Sequence, residues 1–260
     1  MKSVKNEKYF GVDHDVNGTI YQNVIAIYDK DFKKDDKIII DRGPNVIRYA
    51  ILGDITPIYH LLRNQMTSND IRNTNDYVNS IQQTVFSYFG NYYEKNKRIS
   101  YFPTNIEIEK KGKKVGAIAD LAHKNVAYGI ERAVVSQNLL AEIGFITTFK
   151  ICNTEVNGDI CVHAINLIKH DGKCFIFDSN FPTVHNGRAF PIVCEIPEEV
   201  YNKMIIPDKE DGYSVVVKHV SPLDDVEYNI IYDVGKEKLY NPSKSKSKKL
   251  VKKWIYIKTL

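Results

Sequence analysis

His163 and Asp178 are the side chains whose types and spacing invite chemistry. They lie 15 residues apart in strand-like runs, Val162-His-Ala-Ile-Asn-Leu-Ile168 and Phe175-Ile-Phe-Asp178, with the turn signal Asp171-Gly172 between them. An imidazole oriented by a carboxylate serves as general base and acid toward a nucleophile. Ahead of both stands a helix start, Asn125-Val-Ala-Tyr-Gly-Ile-Glu-Arg-Ala133. A helix N-terminus lowers the pKa of a thiol placed there, so the order helix start, His, Asp suits thiol-dependent acyl chemistry. This helix start contains no Cys.

The elements that must position these groups are legible from periodicity. Over 126–143, Ile130, Ala133, Val134, Leu140 and Ala141 recur on one helical face, Gln137 interrupts it, and Val135 and Leu139 widen it. The pattern predicts a largely buried helix stopped by Gly144. Strands are expected at 145–152, 160–168, 173–178, 189–196, 213–220, 227–233 and 253–258. A helix followed by an antiparallel meander gives an α+β class, with a central helix packed on an antiparallel sheet. Alternation puts Cys161, His163, Ile165 and Leu167 on one face of the first partner strand, and Cys174, Ile176 and Asp178 on one face of the next. With both faces toward the helix, His163 and Asp178 meet.

Upstream, 24–28, 37–40 and 46–52 read as strands. Helices follow, one from Thr56-Pro57 and one from near Ser68 or Asn69 to about Gly90. Ile99–Phe102 and Asn105–Glu109 are expected as strands around Pro103, with Lys110–Lys114 an exposed hairpin tip. This divides the chain into a mixed N-terminal lobe of strands and helices, 1–95, and a site-bearing domain, 96–260.

The motif His163-Ala-Ile-Asn-Leu followed by Phe177-Asp-Ser-Asn-Phe181 resembles the His and Asp segments of the YopT-type (AvrPphB-like) cysteine proteases, which are papain-like bacterial effectors. Val126-Ala-Tyr-Gly-Ile130 is similar to their Gly-x-Cys-x-Gly-Leu segment, with Ala127 where the Cys would stand. Transglutaminase-like proteins and arylamine N-acetyltransferases share the Cys, His, Asp order. In the acetyltransferase alignment, Gly129 takes the nucleophile position, but no Gly-Gly-x-Cys precedes the helix. The resemblance covers about residues 120–182, and Ser179 departs from the family Pro.

The resemblance implies a papain/transglutaminase-like fold and thiol-dependent acyl chemistry on a protein or peptide substrate, by proteolysis, transglutamination or deamidation. In it Ala127 marks the nucleophile position, His163 is base and acid, and Asp178 orients the imidazole. It implies no metal or organic cofactor. Asn125 would cap the helix or border an oxyanion site, and Asn180 would border the substrate cleft. Three accounts of Ala127 stand open: a deliberate Cys-to-Ala change, a natural pseudoenzyme that binds through the same cleft, and an unrelated α+β binding protein. On the first two, the chain as written is inactive at this position.

The remaining candidates carry less. Cys161 lies about 7 Å from His163 along one strand face, too far for a direct hydrogen bond. Cys152, Cys174 and Cys194 sit in apolar strand-like runs and read as inert buried thiols. His60 reads as a surface or core-edge residue, and His170, His185 and His219 have no metal-ligand spacing. Charged residues at 26% and apolar residues at 43% are those of an ordinary globular chain. The net charge of +4 is concentrated in Lys244, Lys246, Lys248, Lys249, Lys252 and Lys253. This run reads first as a solvated tail and second as a contact for an acidic surface. The N-terminus has no apolar signal-peptide core and no run is long enough to span a membrane, so a cytoplasmic location is expected, or export as an effector without that signal.

Overall fold

The computed structural model describes residues 2–4, 8–11, 15–16, 19–21, 24–42, 46–69, 71–90, 95–156, 159–180, 191–205, 214–220, 226–233 and 254–258. The order begins with β1 (Lys2–Val4), β2 (Tyr9–Phe10), β3 (Asp15–Val16), β4 (Thr19–Tyr21), β5 (Val24–Ile25), β6 (Ile27–Tyr28), β7 (Lys37–Arg42) and β8 (Ile47–Ile51). Four helices follow, α1 (Thr56–Ser68), α2 (Thr74–Phe89), α3 (Lys95–Tyr101) and α4 (Asn105–Lys111). After β9 (Gly116–Ala117) come α5 (Gly129–Glu142), β10 (Ile146–Val156), β11 (Asp159–His170), β12 (Lys173–Asp178) and β13 (Ile192–Ile196). The chain closes with α6 (Glu198–Ile205), β14 (Ser214–Val220), β15 (Glu227–Asp233) and β16 (Trp254–Lys258). The class is α+β.

The main sheet runs β13-β12-β11-β10-β15-β14-β16, with β6 also paired to β10. β10 to β13 form the expected antiparallel meander. The turn joining β11 to β12 is Asp171-Gly172, both with positive φ (48° and 75°), the conformation a two-residue hairpin of this twist requires. The end strands β13 and β16 touch, so the sheet curls around an interior. Cys152, Ile165, Leu167, Cys174, Ile176, Val215, Ile230 and Tyr232 fill that interior, with Val200, Tyr201 and Met204 of α6.

A larger apolar cluster lies on the outside of the curl. It joins Ala133, Val134, Leu139 and Leu140 of α5 to Phe149, Ala164, Ile168, Phe175 and Phe177, and also to Phe10, Phe32, Ile58 and Val85. One core therefore runs across residue 95. Gln137, which breaks the apolar stripe of α5, is buried and bonded to both neighbouring strands. Its Oε1 accepts from Thr147 Oγ1 (2.8 Å) and Asn166 Nδ2 (3.0 Å). Asn138 exchanges two hydrogen bonds with the backbone of Phe32, at 2.8 and 2.9 Å. α5 is thus fixed by polar contacts as well as burial.

Two expectations are corrected. The expected strands around Pro103 are the helices α3 and α4, and α4 is set by a capping box between Thr104 and Glu107: Glu107 N–H donates to Thr104 Oγ1, and Thr104 N–H to Glu107 Oε2, both at 3.1 Å. Gly112, at φ 64°, ends α4, so Lys110 and Lys111 lie in a last helical turn where their charge suits the dipole. The second long helix starts at Thr74, since the Asn73 side chain caps it by accepting from Asn75 N–H and Asp76 N–H. α6 was not anticipated. Among the described residues no helix is long and apolar enough to cross a membrane.

Candidate active site

The backbone before α5 is held by buried charge. Arg98 of α3 donates to the Val126 carbonyl (Nη1, 3.0 Å) and the Ile40 carbonyl (Nη2, 2.8 Å). Arg132 donates to the Ala127 carbonyl through Nε at 3.3 Å and to the Gly90 carbonyl through Nη2. Glu131 lies between them, 2.5 Å from Arg98 Nη2, and accepts the N–H of the cap residue Tyr128 at 2.8 Å. Arg98 also stacks on the Tyr128 ring, 3.8 Å from its centre. All three charged side chains are buried. Burial draws the Arg132 guanidinium down to about 10, partly offset by Glu131, so it stays charged at neutral pH. The Val126 and Ala127 carbonyls at this bend thus each find a guanidinium donor.

His163 and Asp178 meet as expected. The imidazole Nε2–H donates to both Asp178 oxygens at 2.8 Å. Asp178 is fully buried and accepts two further bonds, from Asn180 N–H on Oδ1 (3.0 Å) and Tyr232 O–H on Oδ2 (2.9 Å). With Nε2 carrying the proton, a neutral imidazole presents Nδ1 as a lone pair on its other side.

Their sheet face, however, is the inner one. Ile165, Leu167, Cys174 and Ile176 pack inside the curl, whereas α5 packs on the opposite face, over Ala164, Ile168, Phe175 and Phe177. The expectation that the His163 face looks toward the helix is therefore wrong for the helix body. Its first residue comes against the ring. The β11–β12 backbone ladder ends at the Asn166–Phe177 pair, so His163 has no backbone partner on β12 and reaches it through its ring alone, against which the start of α5 comes.

Gly129 comes directly against the imidazole. A β-carbon on Gly129 would lie 2.7 Å from His163 Cε1, 3.0 Å from Nδ1 and 3.8 Å from Asn180 Nδ2. Ala127 lies two residues before the helix, wholly buried in the outer cluster. The two alignments differ by a shift of two, and the first helical residue is the one that meets the His. Asn125 is corrected as well. The cap is Tyr128, while Asn125 sits at φ 57° with its side chain against Gly90, where a β-carbon would come 1.8 Å from its Oδ1.

Asn180 borders the site. It is 94% buried by its 6% exposure, and its Oδ1 and the neighbouring Ser179 Oγ have no hydrogen-bond partner among the described residues. Cys152 is the cross-strand neighbour of His163, and burial pushes its thiol up to about 12, against a small pull from Lys150. Burial raises Cys194 to about 12 and Cys174 less far. Cys161 is partly exposed, and none of the four cysteines forms a disulfide. His185 and the Lys244–Lys253 run lie outside the described residues. Among the described residues no group of three or more His, Cys, Asp or Glu is placed to hold a metal ion.

Sequence reasoning missed Tyr232, Arg98, Glu131 and Arg132. Alternation along 227–233 places Tyr232 with Tyr228 and Ile230 on one face, which is a usable signal for burial but not for its partner. Glu131-Arg132 in the most apolar helix was the visible sign of a buried charge cluster. No family model matches the chain, and no curated protein matches it either.

Proposed function

We propose that this is a papain/transglutaminase-like protein whose cleft is built for thiol-dependent acyl chemistry, with the nucleophile position at Gly129 and therefore without a nucleophile. The observation that carries the reading is the imidazole of His163, braced by Asp178 on Nε2 and presenting Nδ1 to the first residue of a buried helix. A thiol at 129 would sit at the positive end of the helix, where the thiolate is favoured. Nδ1 would take its proton and later return it to the leaving group, and Asp178 would hold the tautomer throughout. The free N–H groups of the first helical turn, with the Asn180 amide, supply donors for an oxyanion.

The chain as written lacks the attacking atom. Its imidazole already occupies the space next to the bare α-carbon, which favours a binding role for the protein or peptide ligand over turnover. Arylamine acetyl transfer is the weaker alternative, since Gly-Gly-x-Cys is lacking before the helix.

The test is a pair of variants, Gly129→Cys and Ala127→Cys, treated with an alkylating reagent near neutral pH. The new thiol at 129 is expected to react faster than the four native ones and to lose that advantage on His163→Ala. A thiol at 127 is expected to be protected. Equal reactivity at 129 and at the native positions would sink the reading.

A further inference from the structure

The Tyr232–Asp178 hydrogen bond joins strands that are not neighbours. β15 is separated from β12 by β10 and β11, so the contact crosses the interior of the curled sheet. Both residues are fully buried. Without it, Asp178 would be held by His163, whose ring it is meant to orient, and by Asn180 N–H two residues along its own chain. Among the described donors to the carboxylate, Tyr232 is the one that ties it to the far side of the sheet.

We infer that Tyr232 is a positioning residue for His163, fixing the rotation of the Asp178 carboxylate from across the sheet interior and so holding the imidazole in the tautomer that offers Nδ1 to Gly129. A carboxylate free to turn about its last bond accepts a hydrogen bond from either ring nitrogen after a ring flip. One clamped on Oδ2 by a phenol and on Oδ1 by an amide N–H offers the imidazole a single orientation. The phenol remains a donor across the neutral range. Burial, then the Asp178 charge, push it well above its usual 10.0, and Cys152 and Cys194 act in the same direction. His219, half-buried, also feels the Asp178 charge, though burial lowers it overall. The inference rests on the proposed reading only for the use to which Nδ1 is put.

Nitrogen NMR of the His163 ring tests it in the chain as it stands. In the parent, the neutral ring is expected as the Nε2–H tautomer. In Tyr232→Phe the Nδ1–H form is expected to grow severalfold, and in a Gly129→Cys background alkylation is expected to slow by about threefold or more, with a displaced pH profile. An unchanged tautomer ratio in folded Tyr232→Phe overturns the inference. Should that variant not fold, the parent gives a second measurement. Its Tyr232 hydroxyl proton is expected to exchange slowly and to show a cross-peak to His163 Nε2–H, and a rapidly exchanging hydroxyl overturns the assignment. A tautomer shift with an unreactive thiol at 129 would leave Tyr232 in place and remove the thiol reading.

Discussion

Gly129 and His163 are in contact across the start of α5: the imidazole packs on the bare α-carbon, so that even a methyl group there would fall 2.7 Å from Cε1. Helix propensity favours Ala over Gly by about 1 kcal/mol, yet here the crowding opposes it. Gly129→Ala is expected to lower stability, by an overpacking cost of roughly 1–3 kcal/mol less the propensity gain, and to nudge the His163 ring while its bond to Asp178 holds. Urea denaturation reads the first effect, and the His163 ring resonances read the second. A stabilised protein with an unmoved ring would show that the contact is loose.

The buried charges should behave as one unit. Removing one partner of a buried pair leaves an uncompensated charge, so Glu131→Gln or Arg98→Met is expected to cost about 3–5 kcal/mol. The double variant should cost less than the sum of the two, because neither charge is then stranded. Additive losses in a denaturation cycle would mean that Arg98 acts only through its carbonyl contacts.

Alkaline pH should destabilise the fold through its thiols. The Cys152 and Cys194 thiols are raised from 9.0 to about 12. Between those values the unfolded chain releases the protons while the folded one keeps them, so stability is full below pH 9 and falls as pH rises toward 12. Each group contributes a slope of about 1.4 kcal/mol per pH unit in that window. Cys152→Ala should flatten the fall measured between pH 9.5 and 10.5, and an unaltered slope would contradict the burial of this thiol.

Asn125 is expected to act on the fold. Gly90 has φ 81° and no room for a β-carbon beside Asn125 Oδ1, so Gly90→Ala carries both backbone strain and a clash. A loss of about 1–3 kcal/mol is expected on the overpacking scale alone. Asn125→Ala in the Gly90→Ala background should recover part of it. Failure to recover would place the whole cost in the backbone.

What the sequence disclosed followed from local signals. The period of α5 and the alternation and turn residues of β10 to β12 are short-range, and they brought out His163 and Asp178. Ile106 and Ile108 misled because an Ile-x-Ile alternation looks extended, while the Thr104–Glu107 box that makes α4 helical was passed over. Tyr232 escaped because its partner is set by how the sheet curls, which strand patterns do not encode. The Gly129 alternative turned on a shift of two residues at a helix start, and the placement of the imidazole against α5 is what favours it.

The outer cluster draws on both sides of residue 95. Phe10, Phe32, Ile58 and Val85 share one wall with Leu139, Phe149 and Phe177, and Arg98 spans from α3 to carbonyls on both β7 and the bend before α5. A fragment beginning at 96 would expose that wall to water and leave the helix that bears Gly129 supported on one side only. The segment that looks like an accessory lobe is therefore the scaffold of the site, and the protein should melt in a single cooperative step.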